Sequence, residues 1–599
     1  MASLYPSPFS MAINASSPTG TYLSTSPCIP LLRNQNSNAL KVAVWRVSCK
    51  ATKDGDQKDR EEESIINNGT FERRKILVGV GGLYGSLSNK ALLSLAAPIS
   101  PPDVTKCGPP VLPSGAKPTN CCPPISSKNI IDLTLPNNPQ VKVRPAAHLV
   151  DSTYIQNYKE ALRRMKALPL DDPRNFTQQA NIHCAYCDGA YHQLGFPSLD
   201  FQVHNSWLFF PFHRWYLYFY EKILGSLIKD LDPNFAIPFW NWDSPNGMPI
   251  PTMYADPKSP LYDPLRNANH KPPKPVDLDY NGIEDQTPTQ QQISTNLNTM
   301  YRQLVSSSKT STLFFGSAYR AGEDSDPGGG VVENIPHGPV HVWTGDNTQP
   351  NFEDMGTLYS AARDPIFFSH HANVDRMWTI WKTLGGKRSD IKDPDWLESG
   401  FLFYDENKNL VRVKVKDCLD TRSLGYVYQD VDVPWLDSKP TPGIRRAVVK
   451  SFGAGAALAA ETSKESTKWP VVLDSSVSVV VKRPRKGRNE REKKEEEEVL
   501  VIEGIEFERD LGVKFDVYIN DEDDVHGGPT KTEFAGSFVS VAHKHKHKHS
   551  KMKTNLRLGI TELLEDLGAE DDEHVVVTLV PRFGKGHVIV GGIKIEFHK

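Results

Sequence analysis

The chain has almost no excess charge of either sign, since the formal net charge of its 599 residues is −3. This balance gives no general reason to expect binding to nucleic acid or to an anionic membrane. The sequence also lacks an apolar run long enough to cross a bilayer. Its run ILVGVGGLYGSL at 76–87 is shorter than the roughly 20 residues that a spanning helix needs. We therefore expect no nucleic-acid partner and no integral membrane segment.

Acidic residues are missing from the first fifty positions, which are rich in Ser and carry a few Arg and Lys. This composition is typical of an organelle transit peptide. Arg73 and Arg74 then precede the apolar run and small residues follow it, which is typical of a twin-arginine address. The alternative is a basic linker before a buried helix. The order predicts a chloroplast transit peptide over 1–50, a targeting segment over 51–100 and a mature protein in the thylakoid lumen.

The remaining chain is too long for one hydrophobic core. Helical spacing of apolar residues predicts helices over 154–168, 175–194 and 216–231. Alternating apolar residues after 469 predict the short strands of an antiparallel β-sandwich. The segment before these strands is rich in Pro, Ala, Gly and Ser and suits a protease-sensitive linker. Within the strand region, the basic and acidic halves of RPRKGRNEREKKEEEEV cancel, which favours a solvated loop over a nucleic-acid patch.

The segment 333–378 carries histidines at helical spacing. His337 and His341 are four residues apart in ENIPHGPVHVW, so on a helix their imidazoles share one face. Pro336 and Pro339 suit the first turn of that helix, where a missing N–H leaves no hydrogen bond unmade. The spacing predicts two ligands of one metal ion.

Five further histidines lie in aromatic surroundings. They are His370 and His371 in IFFSHHANVDRMW and, upstream, His183, His204 and His213. The last two are nine residues apart, nearly half a turn out of phase on a helix. Both can reach one metal only if the first precedes the helix or if Pro211 breaks it. A lone histidine beside aromatic rings is more often a core residue, but two sets of three predict a metal pair.

These motifs resemble the type 3 copper proteins, and most closely the plant polyphenol oxidases (catechol oxidase or tyrosinase), along nearly the whole chain. The resemblance implies a mainly α catalytic domain, a four-helix bundle around a dicopper site with long loops. It also implies a C-terminal antiparallel β-sandwich that shields the site within the same chain. The implied domains are 101–436 for catalysis, 437–468 for the linker and 469–599 for the shielding domain.

Copper is the metal that the resemblance implies. Its ligands would be His183, His204 and His213 for the first ion and His337, His341 and His371 for the second. His370 is the neighbouring alternative to the last of these. Neutral imidazoles suit copper in both oxidation states, and HGPVH lacks the glutamate of the zinc-protease HExxH motif. Ligand type alone does not exclude zinc or iron.

The cysteines add covalent constraints. Adjacent cysteines rarely bridge each other, so Cys121 and Cys122 should face different partners, and the sequence leaves the connectivity open. The resemblance implies Cys107–Cys122 and Cys121–Cys184 disulfides. Cys187 lies one turn after His183, and the resemblance implies a thioether from Cys187 to His204. The alternatives for Cys187 are a further disulfide and a free buried thiol.

The resemblance also assigns roles around the metals. Glu333, four residues before His337, matches a water-positioning glutamate that promotes deprotonation; the alternative is a carboxylate that stabilises a helix start. Asn373 and Asp375 would orient ligands, or lie on an ordinary helix surface.

Two positions bear on the substrate. The gate above the second copper is commonly Phe and is matched here by Leu358, which would admit larger rings. Gly338 lacks the side-chain amide that is sometimes linked to phenol deprotonation. These two differences point in opposite directions for monophenol hydroxylation.

The resemblance implies an enzyme made as a latent proenzyme that oxidises o-diphenols to o-quinones and reduces dioxygen to water. Its partners would be dioxygen and small phenolic substrates. Two alternatives stay open: a specialised biosynthetic oxidase of one plant phenolic, and a haemocyanin-like dioxygen carrier. The sequence gives no oligomeric state.

Overall fold

The computed structural model describes residues 97–124, 129–284, 286–441, 468–521, 527–543 and 551–599, all within one structural unit, 91–599. Almost all of the two predicted targeting segments, and most of the predicted linker, lie outside the described residues. None of the helices in the described ranges is both long and apolar enough to cross a membrane.

Helices build the first part of the chain. The α-helices are α1 (Ser152–Ala167), α2 (Phe176–Cys187), α3 (Phe209–Leu227), α4 (Thr289–Tyr301), α5 (Ser311–Phe315), α6 (Gly338–Thr344), α7 (Ile366–Thr383) and α8 (Pro394–Glu398). Two π-helical turns lie at Arg302–Ser306 and Glu333–His337. Short 3₁₀ turns lie at Val104–Lys106, Pro245–Gly247, Thr252–Tyr254, Ala361–Arg363, Val415–Cys418 and Pro434–Asp437.

Small sheets fill the edges of this helical domain. The strands are β1 (Ile131–Asp132), β2 (Lys142–Arg144), β3 (His192–Gln193), β4 (Phe196–Asp200), β5 (Gly400–Tyr404), β6 (Leu410–Lys414) and β7 (Tyr426–Tyr428). β6 lies between β1 and β5, β2 pairs with β7 in parallel, and β3 and β4 form a hairpin. These short strands attach the N-terminal coil to the segment that follows α7.

Helix α3 lies at the centre of the core because it is apolar or aromatic on nearly every face, and a helix of that kind is buried. It begins at Phe209, so His204 precedes it. Pro211 lies in its first turn and does not break it. Of the two arrangements that the histidine spacing allowed, the structure therefore has the one with His204 outside the helix.

Helix α2, which carries His183, is shorter than the sequence analysis predicted. It ends at Cys187 rather than near 194. Gly189 follows with φ +67°, the left-handed backbone that commonly ends a helix. The prolines around His337 also act differently from the prediction. Ile335, before Pro336, has extended φ/ψ of −138° and 127°, as residues before proline prefer, so α6 begins only at Gly338.

The C-terminal domain consists of two stacked antiparallel sheets. Its elements are β8 (Val471–Val472), β9 (Val477–Lys482), α9 (Glu490–Glu495), β10 (Glu497–Glu508), β11 (Val513–Ile519), a 3₁₀ turn (Gly528–Thr530), β12 (Phe534–Ser540), β13 (Lys551–Gly559), α10 (Thr561–Asp566), β14 (His574–Phe583), β15 (Ile589–Val590) and β16 (Gly592–His598). One sheet has the order β13-β10-β15-β8, with β16 also paired to β10, and the other β12-β11-β14-β9. The predicted fold class is thus confirmed.

The β-sandwich packs on the helical domain through apolar and polar contacts, and Leu313 of α5 clusters with Val499 and Val501 of β10. β12 lies against the π-helical turn Glu333–His337 and α6. Lys514 is buried and binds Asp279 at 2.9 Å. At the other end Glu562 accepts hydrogen bonds from Tyr301 and Ser306, both at 3.1 Å. Removing one partner of a buried ion pair such as Lys514–Asp279 would leave an uncompensated buried charge.

Candidate metal centre

Seven buried histidines form two groups in the middle of the helical domain. The three-histidine cluster contains His183, His204 and His213, and the four-histidine cluster contains His337, His341, His370 and His371. Within each cluster the potential ligand atoms all lie within 4.8 Å of one another. The clusters adjoin, because the rings of His213 and His371 stack with centroids 4.1 Å apart. The arrangement can hold two metal ions side by side.

Backbone carbonyls orient most of these rings. Nδ1 of His183 donates to the Leu358 carbonyl at 2.7 Å, and Nδ1 of His341 to the Met355 carbonyl at 2.8 Å. His213 and His337 donate to carbonyls four residues earlier, at 2.8 and 3.0 Å. A proton held on Nδ1 leaves the lone pair on Nε2 free for a metal.

The Nε2 atoms of five rings have no hydrogen-bond partner among the described residues. They belong to His183, His204, His213, His337 and His370. Buried ring nitrogens are ordinarily paired, so their convergence fits a bound cation. A donor set of imidazoles alone fits copper.

Burial keeps these imidazoles neutral. Burial lowers the pKa of His183 to about 3 and that of His341 to about 4. It also lowers the pKa of His204, and repulsion from the neighbouring histidines adds to the shift. Neutral imidazole is the form that binds a metal, so the site needs no proton release near neutral pH.

Trp242 distinguishes the two adjacent histidines of α7. Its indole N–H donates to Nδ1 of His370 at 3.2 Å, so the proton of a neutral His370 ring sits on Nε2. Nε2 of His371 instead lies 3.3 Å from Nε2 of His341. Two nitrogens that bind the same metal ion, each at about 2 Å, lie within about 4 Å of each other. His371 therefore has the geometry of a ligand.

Two of the cysteines, Cys184 and Cys187, lie on α2, the helix that carries His183. Disulfides join Cys107 to Cys122 and Cys121 to Cys184, with Cα atoms 5.6 and 5.7 Å apart. These are the pairs that the resemblance implies, and the second attaches the N-terminal coil to α2. Cys187 is buried and forms no disulfide bond.

Gln202 connects Cys187 with His204. Its side-chain N–H donates to the Cys187 carbonyl at 2.9 Å, and its Oε1 lies 3.3 Å from Nδ1 of His204. Gln202 is fully buried. Gln202 could not be predicted as a site residue from the sequence, since nothing in its spacing distinguishes it.

Glu333 is buried beside the four-histidine cluster. Its Oε1 accepts the backbone N–H of Asn205 at 2.5 Å, while Oε2 has no partner among the described residues. Gly329 makes room for this oxygen, because a Cβ there would lie 2.9 Å from Oε2. Burial raises the pKa of Glu333 well above its usual value. The carboxylate therefore has a strong affinity for a proton.

Asn373 and Asp375 support the helices that carry the ligands. The Asn373 amide donates to Asp243 at 2.9 Å. Asp375 binds Arg214 at 2.5 Å and accepts from the hydroxyl of Tyr426 at 2.6 Å. Because Arg214 follows His213, the carboxylate of Asp375 joins α7 to α3.

The strand β12 reaches the second cluster at Gly338. A Cβ at Gly338 would lie 2.9 Å from Cγ1 of Val539, and the Val539 N–H donates to Oδ1 of Asn334 at 3.3 Å. Leu358 was predicted to act as a gate; its carbonyl orients His183, and its side chain is buried. Val539 is a residue that sequence spacing could not identify, since it lies 205 positions after Asn334.

Comparisons with known proteins agree with this site. The model of the common central domain of tyrosinase matches residues 173–384, that of the polyphenol oxidase middle domain 390–441, and that of the chloroplastic polyphenol oxidase C-terminal domain 469–597. A chloroplastic polyphenol oxidase of Malus domestica is 61% identical over 97% of this chain and 98% of its own length. Aureusidin synthase of Antirrhinum majus is 55% identical, over 86% of this chain and 92% of its own.

Solved structures give the same result. Latent apple tyrosinase is 64% identical, with a TM-score of 0.74 over 79% of this chain and all of its own. Latent aurone synthase is 47% identical, with a TM-score of 0.78 over 84% of this chain and 99% of its own. Fold and site thus define a copper oxidoreductase of the tyrosinase class. The chain belongs to the plant polyphenol oxidase family, which confirms the family and enzyme class predicted from the sequence.

Proposed function

We propose that this chain is a latent o-diphenol oxidase with two copper ions. The observation that carries the proposal is the pair of adjoining clusters of neutral imidazoles with inward ring nitrogens. The ligands are His183, His204 and His213 for one ion and His337, His341 and His371 for the other. Copper bound there supplies the two-electron exchange that converts a catechol to an o-quinone and dioxygen to water.

The residues around the metals perform the supporting steps. The carbonyls of Leu358 and Met355 hold the rings of His183 and His341 in the metal-binding orientation. Glu333 takes a phenolic proton through a water molecule, since its buried Oε2 has no partner among the described residues and lies beside the four-histidine cluster. Asp375 keeps α3 and α7 in register through Arg214.

A thioether between Cys187 and His204 completes the first site. The Sγ–H and a ring C–H are replaced by one C–S bond, and the two electrons and two protons pass to dioxygen. Gln202, which bonds both residues, supports this proposal. This covalent link would fix His204, which precedes α3 and is therefore not held by that helix.

The C-terminal domain keeps the enzyme latent by covering the second site. Val539 is the residue that the contact at Gly338 points to as the cover. We retain the division into a catalytic domain over 101–436, a linker over 437–468 and a shielding domain over 469–599. The relatives named chloroplastic support targeting to the chloroplast, and the twin-arginine segment supports the thylakoid lumen.

A specialised biosynthetic role is the second candidate. Aureusidin synthase and (+)-larreatricin hydroxylase, both named for one specific reaction, are 55% and 52% identical to this chain, which supports this candidate. In our proposal the rim loops, Leu358 and Gly338 decide between broad and narrow specificity and set any monophenol hydroxylation.

The test is quinone formation by the full chain cut in the 437–468 linker, with copper counted and 4-methylcatechol and tyramine compared. We expect two copper ions per chain and rapid quinone formation from the catechol. Activity on tyramine would add monophenol hydroxylation. Turnover of one elaborate plant phenolic but of neither simple phenol would favour the specialised oxidase. Two copper ions that bind dioxygen reversibly, without turnover, would identify a carrier.

A further inference from the structure

Two buried residues near the site have left-handed backbones. Asn205, directly after His204, has φ +53°, and Asp326 has φ +65°. Residues other than glycine seldom adopt this conformation, and those that do concentrate at functional sites. Asp326 is fully buried and Asn205 is 9% exposed.

Hydrogen bonds join these two residues to Glu333. Oδ1 of Asp326 accepts from the Asn205 amide at 3.2 Å, and the backbone N–H of Asn205 donates to Oε1 of Glu333 at 2.5 Å. Gly328 donates its N–H to the Asn205 carbonyl at 2.8 Å. Asn205 is thereby fixed through its side chain, its N–H and its carbonyl.

We propose that Asp326 is a positioning residue that aims the Glu333 carboxylate through Asn205. Asp326 itself does not touch the histidines in this scheme. It holds the Asn205 backbone in the conformation that presents the N–H to Oε1, which leaves Oε2 directed elsewhere. The inference rests on the role proposed above for Glu333.

The C-terminal domain also binds the carboxylate of Asp326. Arg509, after β10, forms a short ion pair with Oδ2 of Asp326, which Ser325 also contacts at 2.9 Å. A buried carboxylate is stable when it is paired with a cation. One side chain therefore serves two purposes, since Oδ1 positions Asn205 and Oδ2 anchors the C-terminal domain.

Amide hydrogen exchange of the copper-free full chain tests the positioning role without any catalysis. Asp326→Ala removes the acceptor, and Asn205→Gly removes the donor side chain while keeping a backbone that accepts left-handed φ. We expect exchange at the residue-205 amide to accelerate about tenfold in both variants, the effect of losing one hydrogen bond. Asp326→Asn keeps an acceptor and should retain the protection.

Two docking variants serve as controls. Arg509→Gln and Lys309→Gln each remove an interdomain ion pair, with Asp326 and Glu562 respectively, and both leave the bond from Asp326 to Asn205 intact. We expect normal exchange at residue 205 in both. Unchanged exchange in Asp326→Ala and Asn205→Gly would overturn the proposal.

Kinetics of the copper-loaded, linker-cut chain complete the test. Asp326→Ala should lower kcat for 4-methylcatechol about tenfold with little change in KM, and Asp326→Asn should restore most of it. An equal loss in Asp326→Asn would assign Asp326 to structure alone and contradict the proposal. If the unsubstituted chain fails to oxidise catechols, the proposed function fails, whereas the exchange result stands independently.

Discussion

In the three-histidine cluster the groups that directly hold the ligand-bearing segments come from the helical domain. The Cys121–Cys184 disulfide fastens α2, Gln202 lies beside His204, and His213 bonds the carbonyl of its own helical turn. The four-histidine cluster instead lies under the C-terminal domain, where Val539 meets Gly338. The two clusters therefore differ in their surroundings. The ligand-bearing segments of the first are held by the helical domain, whereas the second is covered by the C-terminal domain.

One short segment joins the two clusters. Between Met355 and Leu358 the chain supplies a carbonyl to His341 and another to His183. Thr357, in the same segment, donates its hydroxyl to the Ala542 carbonyl of the C-terminal domain at 2.9 Å. The C-terminal domain therefore contacts the segment that orients one histidine of each cluster.

The largest expected effect concerns the ligands of the second metal. His371→Asn should lose one copper ion and lower catechol turnover by at least about a thousandfold, because the reaction needs both metals. His370→Asn is the matched control, since Trp242 places its proton on the nitrogen that would face the ion. Copper counting with turnover measures both. Equal losses in the two variants would contradict the assignment.

The next effect concerns the link between the clusters. Asp375→Asn should lower the free energy of unfolding by about 3–5 kcal/mol, because it leaves Arg214 buried beside a neutral group. Asp132→Asn, in an exposed pair with Arg412, should leave the free energy of unfolding nearly unchanged, because solvent screens that pair. Urea unfolding of both variants gives the comparison. A small cost at Asp375 would show that the clusters are held independently.

The stability of the packing between the C-terminal domain and the helical domain should depend on pH through Glu562. Burial raises the pKa of this carboxyl, but Lys309 and Lys439 outweigh burial and hold it at about 2. Since the pKa is depressed in the docked state, the stabilisation is complete above the ordinary value of 4.5 and is lost as the pH falls towards 2. The change amounts to about 3 kcal/mol. The unfolding temperature of the Glu562→Gln variant should therefore vary less with pH between about 2 and 4.5 than that of the unsubstituted chain.

The smallest effect tests the contact above the second site. Gly338→Ala places a Cβ 2.9 Å from Cγ1 of Val539, an overpacking that should weaken docking by about 1–3 kcal/mol. Catechol turnover by the uncut chain should rise accordingly. Val539→Ala in the same chain should relieve the clash and restore latency. Full latency in Gly338→Ala alone would place the cover elsewhere.

The sequence predicted the elements whose signal is local. Short-range periodicity predicted that His337 and His341 lie close together and that strands follow residue 469. The nine-residue spacing also indicated that His204 could precede the helix of His213. The end of α2 was misplaced, because the turn at Gly189 outweighs the continuing apolar pattern. Trp242, Val539 and Arg509 could not be predicted, since each acts through a contact that only the tertiary fold creates.

Dioxygen uptake with 4-methylcatechol, measured on one copper-loaded preparation before and after cleavage in the 437–468 linker, tests the central claim most directly. We predict slow uptake by the intact chain and a large rise once the C-terminal domain is released from the second cluster. Equal rates before and after release of that domain would contradict the account, because access to the second metal would then not depend on the cover.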